Sequence, residues 1–253
     1  MFLADIFVDM ALLRRHKYVI TLLLIYWPAI FIATHIPVPL LARKSGMSDK
    51  TMHFLAYLVL VFFWWFTISP YSKVNWRKVK VWLTLVVMVW YGAFDEWLQG
   101  RVGRSADVMD FFADLSGTLA GLVILTIFNF WLGSLTVTVI FIFTISNLSK
   151  IDLIWELPFV NTGFHFLGYI ILTLIWIQNM HRHIISTTQK RRHVKWLLTA
   201  SVFPVALLVI VKLCSVGFGK QVWFMDCLTA FTGIIAAVLT SYLACFSYSE
   251  EVT

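Results

Sequence analysis

The chain has 253 residues, 60% hydrophobic, 17% aromatic and only 13% charged, with a mean hydropathy of +0.84. Soluble domains run near 45–50% apolar with about 25% charged residues, so this composition excludes an ordinary soluble domain and points to an integral membrane protein. The formal charge of +7 does not suggest nucleic acid, because the cations lie in short loops between apolar runs, where they set topology and attract anionic headgroups.

At the N-terminus, Met1 to Leu13 is weakly apolar, carries Asp5 and Asp9, and precedes Arg14, Arg15 and Lys17. That order is wrong for a secretory signal and reads as a short interfacial helix. Apolar runs long enough to span a bilayer follow at about 17–36, 51–69, 79–98, 107–129, 131–148, 162–180, 195–213 and 222–246. The expected fold is therefore all-α, a polytopic helix bundle of about eight transmembrane helices. The fifth run is set off from the fourth only by Gly133 and Ser134. Basic loops around Arg14–Lys17, Lys73–Lys80 and Arg182–Lys195 hold the larger share of the 20 lysines and arginines, which places the N-terminus in the cytoplasm and the opposite loops outside. Cys214, Cys227 and Cys245 are odd in number, form no CxxC pair and sit in or beside apolar runs, so they read as small apolar fillers.

The two halves repeat. His53-Phe54-Leu55-Ala56-Tyr57 recurs as His165-Phe166-Leu167-Gly168-Tyr169, and Met109-Asp110 with Gly117 recurs as Met225-Asp226 with Gly233. This suggests two parallel four-helix repeats, one over residues 1–130 and a second over 131–253. The second copy is chemically poorer: Asn161 stands for Asp49, Thr162 for Lys50, Val211 and Lys212 for Asp95 and Glu96, Ser215 for Gln99, Trp223 for Asp107 and Ala230 for Asp114. A single active site would belong to the first half.

Three polar tracts carry the first half's chemistry. Asp49, His53 and Tyr57 stack along one face of the second span, where a carboxylate beside an imidazole makes a general acid/base or a metal ligand. The competing structural reading makes Ser48 a helix cap and Asp49 a complement to the helix dipole. Asp95, Glu96 and Gln99 close the third span, and adjacent acids at a helix C-terminus oppose the dipole. Their competing reading is a solvated headgroup loop. Arg101, Arg104, Asp107, Asp110 and Asp114 lead into the fourth span. Asp107 is explained by its favourable place near a helix N-terminus, whereas Asp110 and Asp114 lie deeper and need partners, for which Lys50, Arg104 and His53 are the candidates. Gly117 and Gly121 form a GxxxG face for close helix contact. Zinc-protease, nucleophile-elbow, P-loop and dinucleotide templates are absent, and no cofactor is identifiable.

Together Asp49-Lys50-x-x-His53-Phe54-x-x-Tyr57, Asp95-Glu96-x-x-Gln99 and Arg104-x-x-Asp107-x-x-Asp110, leading into the Gly117 helix, resemble the VanZ-like family of bacterial membrane proteins. The match covers roughly residues 17–129, with 131–246 as a decayed copy. The resemblance implies a bacterial plasma membrane, an envelope context and an association with resistance to teicoplanin, a lipoglycopeptide. It brings no settled reaction.

Three functions remain open on the sequence. In the first, Lys50, Arg101 and Arg104 hold the phosphate of a lipid-linked cell-wall precursor at the outer headgroup level. Asp49 and His53 then act as acid and base, with Asp95, Glu96, Asp107 and Asp110 orienting them or holding a divalent ion, and Tyr57, Gln99 and Asp114 completing the binding surface. In the second, the cluster is a structural ion-pair network in a non-catalytic protein that binds or shields a drug, such as a glycopeptide antibiotic, or a partner. The third is a transporter, against which the ionisable groups lie at one rim and not at the midplane.

Overall fold

The computed structural model describes residues 2–35, 48–70, 72–101, 107–148, 158–181 and 192–246. Among these are eight helices: α1 (Phe2–His35), α2 (Asp49–Ile68), α3 (Val79–Gln99), α4 (Val108–Ile127), α5 (Phe130–Leu148), α6 (Pro158–His181), α7 (Arg192–Gly217) and α8 (Phe224–Phe246). All eight contain a segment long and apolar enough to cross a membrane, and the described residues contain no strand. The protein is a multi-pass helix bundle. Helices suit that solvent because their backbone amides are satisfied within the segment; Pro28 and Pro204 sit inside α1 and α7, each leaving a helical carbonyl without its amide donor.

The short interfacial helix expected at the N-terminus is instead the start of α1, which runs unbroken into the first span. No proline or glycine interrupts residues 2–27, so nothing in the backbone forces a break there. The fourth and fifth spans part at Phe128 and Asn129, ahead of the glycine–serine pair: α4 closes on the Phe128 amide, and Asn129 Oδ1 accepts from the Leu132 amide to start α5.

The chain divides into two compact units, one reaching Gly133 and the other starting at Ser134. In the first unit α2 and α4 make the most extensive pairing. The reason is glycine. A Cβ on Gly117 would run into the Phe54 carbonyl, and one on Gly121 would meet Val61 and Leu58, so the two backbones touch where larger residues would hold them apart. Leu58 and Val61 of α2 pack into this contact, and Leu60, Trp65, Leu122 and Leu125 are buried as well. On α3, Trp82, Val86, Trp90, Phe94 and Trp97 form an exposed apolar stripe, the face a lipid-bathed helix presents. At the end of this unit where α2 and α4 finish, Lys73 Nζ donates to the Ile127 carbonyl at 2.6 Å and Lys80 Nζ to the Ile68 carbonyl at 3.4 Å. These cations cap helix C-termini, where the dipole favours positive charge.

The second unit pairs α6 with α8 in the same manner: a Cβ on Gly233 would run into the Phe166 carbonyl. Tyr169, Leu172, Ala200, Val211, Ala230 and Ile234 form its buried centre.

Candidate functional site

The start of α2, the end of α3 and the start of α4 meet at one end of the first unit, and Asp107 ties them together. Its Oδ1 accepts from the Met109 amide at 2.9 Å and so caps α4. Its Oδ2 accepts from Lys50 Nζ of α2 at 2.7 Å, and its own amide donates to Glu96 Oε2 of α3 at 3.0 Å. The Lys50 ammonium, reinforced by the Met109 amide, holds the Asp107 carboxyl below the usual carboxylate range. Lys50 reaches a second acid as well, Asp110 Oδ1, at 3.4 Å. The anchor expected of Ser48 is different: it stands at the N-cap position, but only its carbonyl works there, accepting from the Thr51 and Met52 amides.

His53 lies deeper, 4% exposed, and is flanked by acids. The sequence pairs it with Asp49, one turn earlier. In the structure that contact is the longer one, with Nε2 at 4.0 Å from Asp49 Oδ1. The close partner comes from across the helix seam: Nδ1 donates to Asp114 Oδ1 at 2.9 Å. The glycine contacts explain the change, because they bring α4 near enough for its second-turn acid to reach the imidazole. The other oxygen, Asp114 Oδ2, is buried with no hydrogen-bond partner, and so is the hydroxyl of Tyr57. Both groups lie against Gly92 of α3, at 3.3 and 3.4 Å from where a Cβ would stand. Donor atoms of His53, Glu96 and Asp114 lie within 4.8 Å of one another, as do those of Asp49, His53 and Asp110.

Asp95, Glu96 and Gln99 are buried, which removes the reading of a solvated loop. Gln99 Nε2 donates to Asp95 Oδ2 at 2.8 Å and to Glu96 Oε1 at 3.5 Å, the neighbours that helical spacing assigns it. Asp95 is also met from α1, where Thr34 Oγ1 donates to its Oδ1 at 3.0 Å and His35 Nδ1 stands 3.7 Å away. The sequence reading overlooked these two, although adjacent threonine and histidine closing an apolar span were a usable signal. An open cleft of about 250 Å³ reaches this cluster, lined by Ala93, Glu96, Asp107, Val108 and Phe111.

Arg101 does not join. It is exposed, and its guanidinium stacks on Trp97 at 4.3 Å from the ring centre, because a cation at a helix end finds an indole face without leaving water. Arg104 lies outside the described residues.

In the second unit, Asp226 Oδ1 accepts from Asn161 Nδ2 at 2.7 Å, its Oδ2 accepts from Lys212 Nζ at 3.1 Å, and His165 Nε2 lies 3.4 Å from the same oxygen. One carboxylate there meets one ammonium and one imidazole. Among the described residues, the first unit gathers Asp49, Asp95, Glu96, Asp107, Asp110 and Asp114 around Lys50, His35 and His53, a marked excess of acid. Comparison with known proteins gives no matching family model, curated protein or solved structure.

Proposed function

We propose that this is a VanZ-like protein of the bacterial plasma membrane that binds and processes phosphate-bearing, lipid-linked envelope intermediates, with the polar end of its first unit facing outward at headgroup level. One observation carries the reading. The cleft between α3 and α4 has an apolar wall of Ala93, Val108 and Phe111 and a polar end at Glu96 and Asp107, beside the half-exposed Lys50 ammonium. An amphiphile with a phosphate head and an isoprenoid tail has the same division of surface. Lys50 would take the phosphate as a point charge. His53, held by Asp114 and close to Asp49, is the group suited to move a proton, with Glu96 and Asp110 within reach. Gln99 and Asp95 brace the α3 end, and Tyr57 lines the deep side. Resistance to teicoplanin follows if the intermediate handled is a cell-wall precursor.

The experiment is lipid binding and turnover by the full-length protein in nanodiscs. An isoprenoid phosphate should bind at least tenfold more tightly than the corresponding alcohol, and Lys50→Ala should remove that preference. Equal affinity for phosphate and alcohol would end this reading.

A second reading rests on the same lysine. Lys50 bridges Asp107 and Asp110, as a non-catalytic protein would use it to fix helix register beneath a surface that binds or shields a drug or partner. Under it, Lys50→Met combined with Asp110→Leu keeps glycopeptide tolerance intact; under the first reading the pair abolishes it.

A further inference from the structure

The two units differ in how their buried acids are balanced, and that difference points to a ligand. On α7 of the second unit, Lys212 stands at the position Glu96 holds on α3, and on α8 Ala230 stands where Asp114 stands on α4. The second unit therefore has no acid at either of the two positions that flank His53, and Asp226 already has the Lys212 ammonium at 3.1 Å. In the first unit the same register gives a buried imidazole between two buried carboxylates, at 4%, 7% and 2% exposure for His53, Glu96 and Asp114. The Lys50 ammonium is paired with Asp107 and Asp110. Among the described residues neither Glu96 nor Asp114 has an ammonium of its own, and buried carboxylates are costly without a counter-charge.

A second observation is independent of the acid count. Asp114 Oδ2, on a carboxylate almost entirely removed from solvent, has no hydrogen-bond partner, and beside it the buried Tyr57 hydroxyl has none either. An unpaired acceptor at such depth is costly in a folded protein unless something completes it.

We infer that His53, Glu96 and Asp114 form a binding site for one divalent metal ion. The three donors lie within 4.8 Å of one another, close enough to surround a single ion. Two carboxylates and a neutral imidazole carry a charge of −2, which one dication cancels. One nitrogen and two oxygens form a mixed donor set, which favours Zn²⁺ or Mn²⁺ over the all-oxygen shells of Ca²⁺ and Mg²⁺. For His53 to ligate through Nδ1, that nitrogen gives up the proton it donates to Asp114 Oδ1 and the ring hydrogen moves to Nε2, 4.0 Å from Asp49 Oδ1, the carboxylate placed to orient a ligating histidine. Glu96 also lines the open cleft, which gives an ion a path to that carboxylate. The site does not depend on the lipid reading; it holds its ion whether or not an amphiphile occupies the cleft.

The test uses full-length protein in detergent, stripped with a chelator, then exposed separately to Zn²⁺ and to Mn²⁺ and desalted before elemental analysis. One ion per chain is expected, with a melting temperature that rises as metal concentration rises. The double variant Glu96→Lys with Asp114→Ala copies the second unit's chemistry and should retain less than a tenth of the metal. If it does not elute as folded protein, Glu96→Gln with Asp114→Asn, which preserves shape, is read instead. Pulsed electron paramagnetic resonance of the Mn²⁺-loaded wild type should show coupling to an imidazole ¹⁴N. Wild-type protein that binds no ion, or an ion without that nitrogen coupling, overturns the proposal, as does full retention of metal by either double variant.

Discussion

Tyr57 and Tyr169 are both buried, and both have a hydroxyl that meets no hydrogen-bond partner. A hydroxyl in that state contributes nothing to stability and costs about 1–3 kcal/mol by desolvation. Tyr57→Phe and Tyr169→Phe are therefore both expected to leave the melting temperature of metal-free protein unchanged or higher. Only Tyr57→Phe should alter ligand or metal binding, since only that ring borders the acid-rich cluster. A fall of several degrees for either variant in thermal unfolding would show a bond that this account lacks. At this scale the sequence was informative about which residues are special and less so about whom they touch. Asp110 and Asp114 were legible as acids in need of partners, and Lys50 and His53 are those partners. The pairing of His53 with Asp49 was read from helical spacing alone; the shorter bond to Asp114 crosses between helices, where spacing carries no information. Arg101 was assigned to the site on charge, and the indole of Trp97 competes for it.

Between elements, the α2–α4 seam is the feature on which site geometry depends. Gly117 faces a backbone carbonyl, which cannot rotate aside as a side chain could. Gly117→Ala should cost about 1–3 kcal/mol by forcing the two helices apart, and it should weaken ligand binding in parallel. Gly163 of α6 has open space where a Cβ would go, so Gly163→Ala should be neutral or stabilising by up to about 1 kcal/mol, the ordinary helix preference for alanine. Thermal unfolding of both variants in the same detergent checks the contrast, and equal effects would contradict it. The helices themselves were readable from hydropathy because span length is set by bilayer thickness. Their ends were not, as the continuous α1 and the α4–α5 break at Phe128 and Asn129 attest, since caps and local hydrogen bonds fix ends and hydropathy is blind to both.

Across the whole molecule, the proposed orientation puts the acid-rich end outside and the lysine-capped end of the first unit in the cytoplasm. In a background lacking Cys214, Cys227 and Cys245, Arg101→Cys should react with a membrane-impermeant maleimide in intact cells. Arg77→Cys should react only after permeabilisation. The reverse pattern would invert the topology and remove the headgroup-level reading. Everything assigned to the first unit depends on its three polar tracts meeting in one buried cluster, and the bond between His53 and Asp114 joins two of them. The direct measurement is a double-mutant cycle of His53→Gln and Asp114→Asn, scored by unfolding free energy in detergent. Coupling of at least about 1 kcal/mol is expected for a buried pair in contact; effects that add to within about 0.5 kcal/mol would mean that the two side chains do not meet, and the site would not exist as described.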